Sequence, residues 1–148
     1  MSLELNIQKD LMAAMKAKDE KALRGIRAIK AAIMLVKTDG SGKALDADGE
    51  IKLLQKLVKQ RKESLSIFEQ NDRPALAQIE REEIEIIESY LPKQMSEAEI
   101  ETIVKQIIAE TGATSIKDMG KVMGAANKAV AGQAEGAVIS GIVKRLLG

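Results

Sequence analysis

Residues Tyr90 to Glu99 read YLPKQMSEAE, and the reading of this stretch decides the fold. Proline cannot donate to a helical ladder and pushes the residue before it out of the helical region, so Pro92 ends at Leu91 whatever helix precedes it. Four residues on, Ser96 and Glu99 form an S-x-x-E capping box, the mark of a fresh helix start. A stop followed at once by a start predicts two parts, residues 1–91 and residues 92–148.

Working toward the N-terminus, helical periodicity predicts four helices. The first carries Leu3, Ile7, Leu11 and Met15 on one face. The second is capped by Asp19 and carries Ala22, Ile26, Ile29, Ile33 and Val36. Thr38–Asp46, TDGSGKALD, has the composition of a loop. Asp46 or Asp48 then caps a long third helix with Ile51, Leu54, Val58, Leu65 and Phe68. NDRP closes it and opens a fourth, with Pro74 in the first turn and Leu76, Ile79, Ile86, Ile87 and Tyr90 as its stripe.

Toward the C-terminus three helices are expected. One holds Ile100, Ile103, Val104, Ile107 and Ile108 and stops at Gly112; the next restarts after Ser115 and stops near Gly132; the last holds Val138, Ile139, Ile142, Val143 and Leu146. The fold class is all-α, a four-helix N-terminal part and a three-helix C-terminal bundle. A unit the size of the second buries only about 60% of its unfolded surface, which suffices for folding with little margin.

Composition narrows the chemistry. The 148 residues contain no cysteine and no histidine, which removes disulfides, thiolate nucleophiles, ordinary zinc sites and imidazole acid–base catalysis. No metal and no cofactor is expected. Glu4, Lys9, Asp10 and Lys16 interrupt the first helix, so there is no apolar secretory core, and no uncharged run approaches the roughly 20 residues of a membrane span. The expectation is a cytoplasmic protein without a membrane partner. A net charge of +1 gives no strong attraction to nucleic acid, and with Phe68 and Tyr90 the only aromatic residues, base stacking on exposed rings is excluded as a recognition mode. Charge is nevertheless uneven: from Gly112 onward Lys117, Lys121, Lys128, Lys144 and Arg145 face only Asp118 and Glu135.

Three motifs invite chemistry. DADGE, Asp46–Glu50, suggests a calcium loop, but the glycine position falls on Ile51 and the bidentate acid position on Leu57, so a helix start is the better account. The acidic run EREEIEIIE, Glu80–Glu88, suggests paired catalytic carboxylates, although a solvated helix face explains most of it. Glu83 and Arg61 resist that account because each lies on or beside an apolar stripe, where a lone charge is costly. We expect Arg61 to pair with Glu83 or Glu80 as a structural link between the third and fourth helices.

The third motif is DMGKVMGAANKAVAGQAEG, Asp118–Gly136. A glycine inside a helix costs about 1 kcal/mol relative to alanine, so glycines at 120, 124, 132 and 136 require reasons. Gly132 reads as a C-terminal cap, and Gly136 falls in a first turn whose free N–H groups favour an anion. At 100° per residue Met119, Met123, Ala126 and Val130 share one side, while Lys117, Lys121, Gly124 and Lys128 cluster nearly opposite. This row is either a face where small residues admit another helix or a phosphate-binding surface where an RNA backbone approaches and lysines neutralise it. Spacing alone does not separate the two.

The run KQRKESLSIFEQNDRPALAQIEREEIEIIESYLPKQMSEAEIE, followed by TGATSIKDMGKVMGAANKAVAG, resembles the YqeY family along essentially the whole chain. The Y-L-P-x-x-[LM]-S-x-x-E junction and the D-M-G-K-V-M segment carry the resemblance. The family's C-terminal half is similar to the tail domain of the B subunit of the glutamine-dependent aspartyl/glutamyl-tRNA amidotransferase, a helical module that contacts tRNA while amide transfer occurs in other domains. The resemblance implies a tRNA-binding-like tail and no catalytic residue in this chain. A ligase label with glutamine as nitrogen donor is attached to the family through that tail, and it does not imply activity of this chain alone. The implied partners are tRNA and amidotransferase or translation components; the alternative is a protein-interaction adaptor docking through the glycine-rich face. The candidate RNA-contacting residues are Lys117, Lys121, Gly124, Lys128, Gly136, Lys144 and Arg145. One departure bears on affinity: where the family has G-R-A-D-G this chain reads GQAEG, with Gln133 in place of the arginine.

Overall fold

The computed structural model describes residues 2–40 and 45–148; of the expected loop Thr38–Asp46, residues 41–44 lie outside the described residues. Seven α-helices and one 3-10 turn follow one another with no strand among the described residues, so the chain is all-α. It divides into two compact units, Met1–Leu91 and Pro92–Gly148. No helix among the described residues is long and apolar enough to cross a membrane.

The first unit holds α1 (Leu3–Ala17), α2 (Glu20–Thr38), α3 (Ala47–Gln70) and α4 (Pro74–Glu88). Each boundary has a local cause. Ser2 caps α1 by accepting from the Leu5 N–H, and Lys18 in the left-handed region (φ 56°) closes it. Asp19 then accepts from the Ala22 N–H, so two residues suffice to reverse the chain into α2. The Asp46 carboxylate accepts from the Gly49 N–H at 2.7 Å, which makes DADGE a helix start. Asp72 takes a left-handed φ of 53°, and Pro74 opens α4 where its missing N–H is not needed.

α4 packs along both α3 and α2, and α1 packs along α2. Their shared core is Leu3, Ile7 and Ala14 from α1, Leu23, Ile26, Ile29 and Ile33 from α2, Leu54 and Val58 from α3, and Ile84 and Ile87 from α4. Two expected stripes are displaced. Met15 is exposed and Ala14 buried in its place. On α4, Leu76 and Ile79 are exposed, and the buried line runs through Ala77, Ile84 and Ile87 instead. For α4 the cause is on α2: a methyl added at Gly25 would lie 2.5 Å from Ile86 Cβ and closer still to Cγ2, so the two backbones approach closely only because Gly25 has no side chain. That approach fixes the rotation of α4, and it places Glu80 on the line between Ala77 and Ile84.

The second unit holds α5 (Glu97–Thr111), a 3-10 turn (Ile116–Asp118), α6 (Met119–Val130) and α7 (Gly136–Leu147). Ser96 and Glu99 form the reciprocal capping box, and Gly112 ends α5 with a left-handed φ of 68°. Ser115 caps the 3-10 turn, α6 begins only at Met119, and it ends at Ala131 followed by Gly132 with φ 82°. Ile100, Val104 and Ile107 of α5 meet Val122, Ala126 and Val130 of α6 and Ile139, Ile142, Val143 and Leu147 of α7. The buried line of α6 runs through Val122, Ala126 and Val130, with Met119 and Met123 only partly covered beside it.

Candidate nucleic-acid interface

The second unit is polarised in charge. α5 carries Glu97, Glu99, Glu101 and Glu110 against a single Lys105, whereas α6 and α7 carry Lys121, Lys128, Lys144 and Arg145 and no carboxylate. A core that uses three faces of three helices leaves the outer sides of α6 and α7 to solvent. The exposed residues there are small or cationic: Gly120, Lys121, Gly124, Asn127 and Lys128 on α6, and Gly136, Ala137, Gly141, Lys144 and Arg145 on α7. A methyl added at Gly120, Gly124, Gly136 or Gly141 would meet nothing within 4 Å. These glycines therefore neither pack nor cap within the unit.

The candidate residues are not equivalent. Lys121, Gly124 and Lys128 share the outer side of α6. Lys117 is exposed too, but it sits in the 3-10 turn, where three residues make a turn and the helical count of azimuth does not apply. Lys117, Lys121, Lys128 and Lys144 meet no carboxylate among the described residues. Arg145 does: its Nη2 donates to Glu101 Oε2 at 3.2 Å, and Glu101 also binds Lys105 at 3.2 Å. The Lys105 hydrogen bond, with Arg145 and Lys105 charge behind it, holds the Glu101 carboxyl below its ordinary range. Gly136 opens α7 after Glu135, whose side chain makes no capping hydrogen bond to the helix. Gly141, absent from the sequence reading, belongs to the same smooth face, and the signal was available: it is a mid-helix glycine with the same penalty as Gly124.

Gln133 has a different task. Its amide donates to the Lys93 carbonyl at 3.1 Å, its own carbonyl accepts from Met95 N–H at 2.8 Å, and Gln94 donates to the Gly132 carbonyl at 3.0 Å. The GQAEG turn is thereby clasped to the segment that leads into α5.

In the first unit the acidic run works as a seam. Arg61 Nε donates to Glu83 Oε2 at 3.1 Å with side chains 19% and 18% exposed, and Arg61 also donates to the Leu57 carbonyl of its own helix. Glu82 accepts from Arg24 at 2.6 Å and meets Lys21 at 3.4 Å, so it ties α4 to α2, a role the sequence reading missed. The Arg24 hydrogen bond holds the Glu82 carboxyl below its usual range. Glu80 goes the other way, raised first by burial and then by the neighbouring Glu83 charge, with Arg61 opposing. Arg81 and Glu69 add a further α3–α4 pair at 2.6 Å. Tyr90 donates its hydroxyl to Asp10 at 2.6 Å, and burial with that carboxylate keeps the phenol protonated well past its ordinary range.

The fold and its polarised tail define a class: a two-unit helical protein whose second unit offers a basic, low-relief face. Within that class the chain belongs to the YqeY family, whose model, described as Yqey-like protein, matches residues 4–147. Among curated proteins it is similar to "Altered inheritance of mitochondria protein 41, mitochondrial" of Lachancea thermotolerans, 40% identical over 107 residues that cover 71% of this chain and 57% of that one. The protein of the same name from Kluyveromyces lactis is 35% identical over 107 residues, 70% of this chain and 57% of that one. That of Pyrenophora tritici-repentis is 30% identical over 133 residues, 86% and 71%. The chain thus spans a little over half the length of the first two. These relatives overturn the cytoplasmic expectation, since each is mitochondrial by name. The physical reason is that charges in the first helix exclude an apolar secretory core, while mitochondrial targeting segments are amphipathic and basic and have no such core.

Proposed function

We propose that the chain is a non-catalytic accessory protein that contacts RNA, with tRNA as the first candidate, through the outer face of α6 and α7. The observation that carries this reading is the union of open glycines and cations without carboxylates on that face. Gly124 and Gly141, in helix interiors, each forgo about 1 kcal/mol of helix stability and receive no packing in return within the unit. A phosphate backbone supplies the missing partner: it needs close approach, which Gly120, Gly124, Gly136 and Gly141 permit, and neutralisation, which Lys121, Lys128 and Lys144 provide. The lack of aromatic residues in the second unit fits contact with a backbone and not with bases. In the first unit Glu82 and Glu83 of the acidic run are bound to Arg24, Lys21 and Arg61, which supports a structural role for these two carboxylates over a hydrolytic or transfer site.

Binding of the purified full chain to unfractionated tRNA across a salt series tests this. Each phosphate contact contributes about 0.7–0.9 to the slope of log K against log salt. Lys121→Ala with Lys128→Ala should lower the slope by up to about two units. Gly124→Leu should weaken binding while raising the melting temperature of the tail, because leucine is the better helix former and nothing obstructs it. A Gly124→Leu protein that binds tRNA as tightly as its parent would refute the RNA reading.

A further inference from the structure

The first unit leaves a second surface without a use. Of its exposed large apolar side chains, Leu5, Met12 and Met15 on α1 and Met34 on α2 lie at 56%, 59%, 56% and 54%; Leu35, Ile67, Leu76 and Ile79 are also exposed. At 100° per residue Leu5 and Met12 fall within about 20° of each other on α1, Met15 lies about 60° to one side, and Lys9 and Lys16 lie within about 60° on the other. A cleft of about 250 Å³ opens between α1 and α2, floored by Ile7 and Ile33 and rimmed by Glu4, Gln8, Lys30, Met34 and Lys37. The apolar strip therefore runs beside Lys9 and Lys16 on one side and Lys30, with the Lys37–Glu4 pair, on the other.

The electrostatics of the strip are one-sided. Lys9, Lys16 and Lys30 are exposed and meet no carboxylate among the described residues. Glu4 is already bound to Lys37, Asp10 is turned to Tyr90, and Asp19 is engaged at the α2 cap. Glu20 lies in the first turn of α2.

We propose that the α1–α2 face docks an amphipathic helix of another protein, whose apolar stripe is flanked by aspartate and glutamate. Three features select that occupant. The cleft is concave and takes the side-chain ridge of a helix, whereas a bilayer presents a plane. Three of the four apolar groups are methionines, unbranched side chains that adapt to an incoming surface. The exposed lysines complement carboxylates, and they disfavour a symmetric second copy, which would set Lys9, Lys16 and Lys30 against themselves. The surface lies wholly within the first unit and uses none of the residues proposed to contact RNA.

The seven methionines make the test direct. The full chain, labelled with ¹³C at the methionine methyls, is titrated with a synthetic helical peptide of about 18 residues, long enough to hold its helix, with leucines at i, i+3, i+4 and i+7 and glutamates on both flanks. The Met12, Met15 and Met34 signals should shift saturably while Met95, Met119 and Met123 stay in place. Met12→Glu, at an exposed position, should weaken binding about tenfold or more, as loss of a central anchor does, and leave tRNA affinity unchanged. The same peptide with lysines in place of glutamates should not bind. Equal binding of the lysine peptide, absence of a saturable shift, shifts confined to the tail methionines, or cosedimentation with phosphatidylglycerol vesicles in place of peptide binding would each overturn the proposal.

Discussion

Gly25→Ala is the sharpest single perturbation of the first unit, because the glycine sits mid-helix in α2 with Ile86 of α4 pressed against it. The new methyl would stand 2.5 Å from Ile86 Cβ and 3.2 Å from Cγ1. Carbon atoms settle at about 3.5–4.0 Å, so the helices must part by roughly 1 Å or more along that line. The Cβ of Ile86 is fixed to its backbone and cannot swing aside. Overpacking of this kind costs about 1–3 kcal/mol, and the rigid neighbour argues for the upper end. Alanine returns about 1 kcal/mol of helix propensity, which leaves a net loss of about 2 kcal/mol. For a domain of this size that is a fall in melting temperature of roughly 8–16 °C. Tyr90 is the only tyrosine and there is no tryptophan, so tyrosine fluorescence follows the first unit alone within the full chain. Gly124→Ala, read by circular dichroism, is the matched control and should gain about 1 kcal/mol, since its methyl meets nothing. A Gly25→Ala protein whose tyrosine melt moves upward would refute the claim that α2 and α4 are set by this contact.

Four further outcomes follow from the α4 seam. Arg61→Ala should cost about 2 kcal/mol in urea unfolding followed at Tyr90, between the small worth of exposed pairs and the 3–5 kcal/mol of sealed ones, because both side chains are under one-fifth exposed. Replacing the pair together, Arg61→Met with Glu83→Leu, should cost less than Arg61→Ala alone; a larger loss would show that the pair contributes more than its desolvation. Glu82 has a depressed folded pKa, so its contribution is complete above the unfolded value of about 4.3 and is lost as pH falls through the lower folded value. Glu82→Gln should therefore flatten the decline of the Tyr90 melting temperature between about pH 5 and pH 3. Glu80 has the opposite sign: its raised pKa means the folded state holds its proton more tightly, so Glu80→Gln should raise the melting temperature at pH 7 and remove a gain that the parent shows on mild acidification.

Local physics made much of this protein legible in its sequence. The break at Pro92, the caps at Asp19, Asp46 and Ser96, and the stop at Gly112 depend on residues within one turn of one another, and such contacts are the same in any tertiary setting. The lysine and glycine row on α6 was legible for a related reason: once a helix is assumed, azimuth follows from spacing, and the face opposite a buried stripe must meet solvent. It failed at Lys117, where the backbone is 3-10 and the spacing rule changes.

Tertiary structure alone decided which of several apolar lines each N-terminal helix buries. Leu76, Ile79 and Met15 are as hydrophobic as the residues that displaced them, and nothing within their own helices ranks the alternatives. For α4 the choice came from a partner far along the chain: Gly25 admits Ile86, α4 turns to fit, and Ala77 and Ile84 go inward with Glu80 between them. The same rotation hands Glu82 to Arg24, a link the acidic run gave no sign of, whereas the Arg61–Glu83 pair was legible from two charges lying on apolar stripes; together they make the run a link between three helices. A helix carries its own caps, but its rotation about its axis is set by the shape of what it packs against, and that shape is not encoded within its own turn.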